Sequence, residues 1–76
     1  MKELLEYIAK SLVDYPEDVT VIETESGNTI VLELKVNELD MGKVIGKQGR
    51  IAKSIRAVVK AAASRENKKA VVEIMQ

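Results

Sequence analysis

The chain has no cysteine and no histidine. That removes disulfides, thiolate metal sites, and the commonest transition-metal ligand, general base and nucleophile together. A core, if there is one, must hold by regular packing. Long apolar runs are missing too. No stretch approaches the roughly 20 apolar residues that span a bilayer. Met1-Lys2-Glu3 runs straight into an amphipathic pattern without an apolar block of signal length. A cytosolic (cytoplasmic) chain without a membrane partner is expected. Close carboxylates occur at Glu17-Asp18 and Glu38/Asp40, but at turns and helix starts, where capping and solvation account for them. Ser11, Ser54 and Ser64 have no partner base. No catalytic constellation, cofactor site or metal site is expected, and therefore no enzyme.

What is present suits one small domain over residues 1–76. Apolar residues make up 46% and charged residues 32%, the composition of a folded chain rather than a disordered tail. The formal net charge is +0, but it is unevenly distributed. Residues 1–41 hold three bases against ten acids, a net of −7, and residues 42–76 hold nine bases against two acids, a net of +7. Such polarisation hints at an anionic partner for the second half, or at two halves that neutralise each other in the fold.

Leu4, Leu5, Ile8 and Leu12 fall at helical spacing and predict a helix of about three turns, ended by Tyr15-Pro16. Pro16-Glu17-Asp18 reads as a turn. Val19–Thr24 is rich in β-branched residues and predicts a strand. After Ser26-Gly27-Asn28, the residues Ile30, Leu32, Leu34 and Val36 alternate with others, the period of a second strand. The short connection makes the two an antiparallel hairpin. Asp40 is placed to cap a short helix from about Met41 to Ile45. Arg50–Ser64 predicts the longest helix, with Ile51, Ile55, Val58, Val59 and Ala62 on one side and Lys53, Arg56 and Lys60 well away from it. Ala70–Met75 reads as a last strand, Val72 and Ile74 inward. The order is αββααβ, an α+β fold. A helical crossover makes the last two strands parallel neighbours, giving a three-stranded mixed sheet with three helices on one face.

The informative stretch is Met41-Gly42-Lys43-Val44-Ile45-Gly46-Lys47-Gln48-Gly49-Arg50. Two glycines three apart allow a sharp bend and remove side chains that would block a close approach. The bend leads into a helix N-terminus, where unpaired N–H groups and the helix dipole favour an anion. Lys43, Lys47, Arg50 and Lys53 add full charges. The spacing excludes two familiar phosphate loops. A Walker loop needs four residues between its glycines and then Lys-Ser/Thr, and a dinucleotide fingerprint needs a third glycine after a strand. A bare G-x-x-G is usually only a turn. Here the apolar pair Val44-Ile45 before it, the flanking bases and the helix–loop–helix setting between strands favour a binding loop.

The run Val44-Ile45-Gly46-Lys47-Gln48-Gly49 resembles the V-I-G-x-x-G signature of KH domains, and the element order over all 76 residues resembles their type II arrangement, with the extra helix and strand first. The stretch Met41–Lys53 is similar to that of the KhpA family of small, free-standing bacterial KH proteins. Many KH domains carry a bulky aliphatic where this chain has Ala52, which leaves Ile51 and Ile55 to fill that place. The resemblance implies that Gly46, Lys47, Gln48 and Gly49 clamp the backbone of single-stranded RNA. Ile45, Ile55 and Leu34 would floor an apolar groove, and Lys43, Arg50 and Lys53 would supply peripheral charge. It also implies self-association, or pairing with a larger KH-containing RNA-binding protein, and a role as RNA chaperone or post-transcriptional regulator. With no Phe or Trp, and Tyr7 and Tyr15 far from the loop in sequence, stacking of bases on an aromatic platform is not available there. An affinity nearer micromolar than nanomolar is expected for one such domain.

Overall fold

The computed structural model describes residues 1–75. Its hairpin follows from the alternation in the sequence. Strands β1 (Thr20–Ser26) and β2 (Thr29–Lys35) pair antiparallel from Thr20↔Lys35 to Ser26↔Thr29. Strand β3 (Lys69–Met75) lies parallel to β2, in the order β1-β2-β3. Ile30, Leu32, Leu34, Val21, Ala70 and Val72 point to one face and are buried. Three helices cover that face: α1 (Lys2–Leu12), α2 (Met41–Ile45) and α3 (Arg50–Arg65). The opposite face is open, with Ile22 and Val71 about half exposed. The predicted α+β order and mixed sheet are therefore present, and strand bounds moved by only a residue or two.

Helix α1 buries Leu5 and Ala9 and stops at Leu12, a turn earlier than Tyr15-Pro16 suggests. Val13 is already extended (φ −100°, ψ 161°). The cause is tertiary. The N–H groups of Asp14 and Tyr15 donate to the Asp40 carboxylate at 3.1 and 3.0 Å, so this segment finds better partners outside the helix. Asp40 thus departs from its expected role. Its side chain makes no capping bond to α2; it is fully buried and serves the 14–15 backbone instead.

Helix α3 also corrects the sequence reading. Ala52, Ile55, Val59 and Ala63 form the buried stripe, while Val58, expected among them, is 49% exposed. Both stripes are apolar, and they lie roughly 100° apart around the helix. The sheet packs against the small-residue stripe and leaves Val58 outside. Lys53 and Lys60 are exposed as expected, but Arg56 is half-buried, and its Nε donates to the Val72 carbonyl of β3 at 3.2 Å. The helix ends in a left-handed Asn67 (φ 59°), with Lys68 N–H donating to the Ala63 carbonyl and Asn67 N–H to that of Ser64. That arrangement satisfies the last carbonyls and turns the chain into β3.

Candidate functional site

The loop between α2 and α3 is built by main-chain hydrogen bonds that only its glycines permit. Gly46 N–H donates to the Gly42 carbonyl at 2.8 Å and closes α2. Gly49 N–H donates to the Gly46 carbonyl at 3.1 Å and closes the bend. Gly46 sits at φ 77°, ψ 173°, a region open only to glycine. Gly49 is left-handed at φ 74°, ψ 13°. Between them Gln48, a non-glycine, is also left-handed at φ 58°. The two glycines differ in what surrounds them. A Cβ on Gly46 would stand 2.5 Å from Cγ1 of Ile51, whereas one on Gly49 would meet nothing within 4 Å. Gly46 lets the loop close onto its own helix. Gly49 leaves a flank bare beside the first turn of α3, where N–H groups lack partners within the helix and the dipole is positive.

Lys47, Gln48, Arg50 and Lys53 are all exposed around that flank. An Arg50 Nη donates to the Gln48 Oε1 at 3.2 Å. Among the described residues, Lys47 and Lys53 take part in no ion pair. Lys43, expected to lend peripheral charge, faces elsewhere. Its Nζ lies 3.1 Å from the Asp14 carboxylate and 3.8 Å from that of Asp40. The hydrogen bond to Asp14, and then the Asp14 charge, raise its pKa above the usual lysine value. Those contacts link α2 to the end of α1.

The expected groove floor is not assembled. Leu34 is fully buried in the core between sheet and helices, because inward strand positions face the helices, so it can line no open groove. Ile45 is 37% exposed at the end of α2. Ile55 is buried and contributes to a different hollow. That hollow, of about 550 Å³, runs between α1 and α3 and is walled by Leu4, Tyr7, Ile8, Leu12, Ile51 and Val58, with Arg50 and Ser54 at its margin. Ile45 is not part of it. This apolar groove is not legible in the residue order, because both of its walls read as inward faces. A smaller hollow of about 380 Å³, near the far end of α3, gathers Lys60, Ser64, Lys68 and Lys69 over Ala70 and Val71. Its Lys68 pairs with Glu25 at 2.7 Å, which raises the lysine pKa. Among the described residues no group of three or more Asp or Glu could hold a metal, and no helix is long and apolar enough to cross a membrane.

A glycine bend set between two short-linked helices, themselves between parallel strands, is the geometry on which comparison with known proteins turns. The profile described as "KhpA/KhpB, KH domain" matches residues 2–74. The chain belongs to the KhpA/KhpB family of KH domains. Its relatives in Clostridium and Chlamydia are bacterial and of nearly the same length. It is 72% identical to the RNA-binding protein KhpA of Clostridium perfringens over 99% of this chain and 100% of that one. It is 67% identical to the KhpA of Clostridium acetobutylicum over the same shares. Identity to the KhpA of Chlamydia trachomatis is 51%, over 100% of this chain and 97% of the relative. Among solved structures, Aquifex aeolicus Era (Y63A, bound to GDP.AlF4-) superposes with a TM-score of 0.63 at 20% identity, covering 96% of this chain and 28% of Era. That likeness concerns the fold.

Proposed function

We propose that the chain binds single-stranded RNA by laying the sugar-phosphate backbone along Gly46-Lys47-Gln48-Gly49. The observation that carries this reading is the bare flank of Gly49 at the start of α3, with Lys47, Arg50 and Lys53 exposed around it. Removing a side chain there lets a ribose or phosphate approach the backbone, and α3 presents N–H groups to receive it. KH domains clamp four nucleotides in this way, and the relatives in Clostridium and Chlamydia are named RNA-binding proteins. Binding of this kind needs no catalytic group and suits a cytoplasmic RNA chaperone or post-transcriptional regulator built as one domain. Lys53 and Arg50 supply charge; Lys43 acts mainly through Asp14, and Ile45 offers the only half-exposed apolar side chain on α2 beside the loop.

The test is the double substitution Lys47→Asp, Gln48→Asp. Both side chains are exposed, so thermal stability should change little, while affinity for a single-strand pool should fall at least about 100-fold, or ~2.7 kcal/mol. Retained binding would refute the loop assignment. A clamp on four nucleotides also predicts a salt slope of about −2 to −3, at roughly −0.7 per phosphate neutralised on a single strand.

A second reading concerns partners. The groove between α1 and α3 leaves Val58 49%, Leu12 37% and Tyr7 74% exposed, an apolar surface that favours association. It supports pairing with a second copy, or with the KH domain of a larger RNA-binding protein. Sedimentation over a concentration series without RNA decides the homodimer: a strict monomer at high concentration would remove it.

A further inference from the structure

The core of this protein is apolar apart from one residue. Asp40 is the single polar side chain that is fully buried among the described residues. Neither the glycine loop nor the apolar groove uses it. Its two carboxylate oxygens are divided between two successive backbone donors, Oδ1 accepting from Asp14 N–H at 3.1 Å and Oδ2 from Tyr15 N–H at 3.0 Å. Lys43, one turn further on α2, closes the same contact from outside by pairing with Asp14 and Asp40 at 3.1 and 3.8 Å. A carboxylate is the one short side chain with two acceptor oxygens and no donor. Asparagine would set an amide NH₂ against one of the two N–H groups.

The position of this latch matters because α2 is only five residues long. A helix of little more than one turn does not hold itself in water. It buries one side chain, Val44, and its last residue is followed directly by Gly46. Its direction is therefore set by Val44 and the partly buried Met41 against the core and by the Asp40–Lys43 grip on segment 14–15. The lever is short but effective. Asp40 to Gly46 is six residues, a rise of about 9 Å, so a tilt of roughly 10° about Asp40 carries Gly46 about 1.6 Å, more than the ~0.5 Å within which a binding site must be held. We infer that Asp40 is a positioning residue for the glycine loop: it fixes α2 to the end of α1 so that Gly46–Gly49 meets the RNA backbone in a single, prepared geometry. It touches no RNA itself. The inference rests on the RNA-binding reading for its consequence, but not for its structural content.

Two measurements separate these. Native-state hydrogen exchange on the unaltered protein reads the latch without RNA. The amides of Asp14 and Tyr15 should open together with those of Gly46 and Gly49, with a common dependence on denaturant, as one cooperative unit. If Gly46 and Gly49 open in conditions that leave Asp14 and Tyr15 closed, the latch does not hold the loop and the inference falls. The second measurement compares Asp40→Asn with Val21→Ala, a core truncation on β1 away from α2, both at a temperature where each is folded. Asp40→Asn should weaken single-strand binding about tenfold and speed exchange at Gly46 and Gly49, whereas Val21→Ala should lower the melting temperature and leave affinity unchanged. Equal affinities for Asp40→Asn and the unaltered protein would overturn the positioning role. If instead the unaltered protein binds no RNA while the exchange unit is intact, the RNA reading fails and the latch stands.

Discussion

Gly46 and Gly49 are three residues apart in one loop and look equivalent in the sequence, yet they sit against opposite surroundings. The space beside Gly46 is filled by Ile51, and the space beside Gly49 is empty. The same division continues along α3. Ile51 and Val58 enter the apolar groove shared with α1, Arg50 borders that groove next to the loop, and Lys53 lies exposed outside it. A single helix thus carries an apolar surface and an exposed basic side chain, Lys53, on different faces. The lesson is that a glycine motif combines two different demands: close packing onto the protein's own helix, and access for something outside it.

Substitutions can break that division from either side. Gly46→Ala should have the largest effect. It forces a side chain into a glycine-only conformation and against Ile51, costs of about 1–3 kcal/mol each, so a loss of roughly 3–4 kcal/mol in denaturant unfolding is expected, a large part of the stability of a chain this small. Val58→Asp comes next. A charge in the centre of the apolar groove should raise the dissociation constant of any self-association about 100-fold or more by sedimentation, while the affinity of each chain for RNA stays within about threefold. Unchanged association would move the interface elsewhere. Gly49→Ala sharpens the contrast with Gly46. Its left-handed backbone costs only about 1–2 kcal/mol, and no neighbour is displaced, yet the added methyl fills the approach to the backbone, so RNA affinity should fall about tenfold with a melting shift about half that of Gly46→Ala or less. If both alanine variants shift stability and binding in proportion, the two glycines are not distinct.

The smallest effect should come from pH. The folded-state pKa of Lys43 is raised, first by its hydrogen bond to Asp14. A raised lysine stabilises the fold fully below its unfolded pKa, and that contribution is lost as pH climbs through the higher folded value. Stability measured from about pH 9 upward should therefore decline less steeply in Lys43→Met than in the unaltered protein. Parallel alkaline limbs would show that the exposed pair contributes nothing measurable, as many surface pairs do.

Much of the fold was legible in the residue order. The alternation from Ile30 to Val36 specified a strand and its inward face, and the two glycines with Val44-Ile45 before them specified the bend and its neighbours. The expectation for Val58 failed because α3 has two apolar stripes and periodicity cannot say which of them the sheet covers. Leu34 failed as a groove residue for a related reason: alternation identifies the inward set, but not whether a helix seals it. Lys43 is close to the loop in sequence, but its partner Asp14 lies 29 positions away, beyond the reach of any local pattern.

By itself, the sequence determined the elements, their order and the bend at Gly46–Gly49, because backbone propensity, hydrophobic period and positive-φ tolerance are local properties of the chain. The tertiary structure alone decided that Asp40 would be buried against the amides of Asp14 and Tyr15 rather than cap its own helix, that Lys43 would join it, and that Leu4, Ile8 and Val58 would line an open groove. Those outcomes depend on which surfaces meet across the fold, and a donor 26 residues away leaves no mark on the sequence around its acceptor.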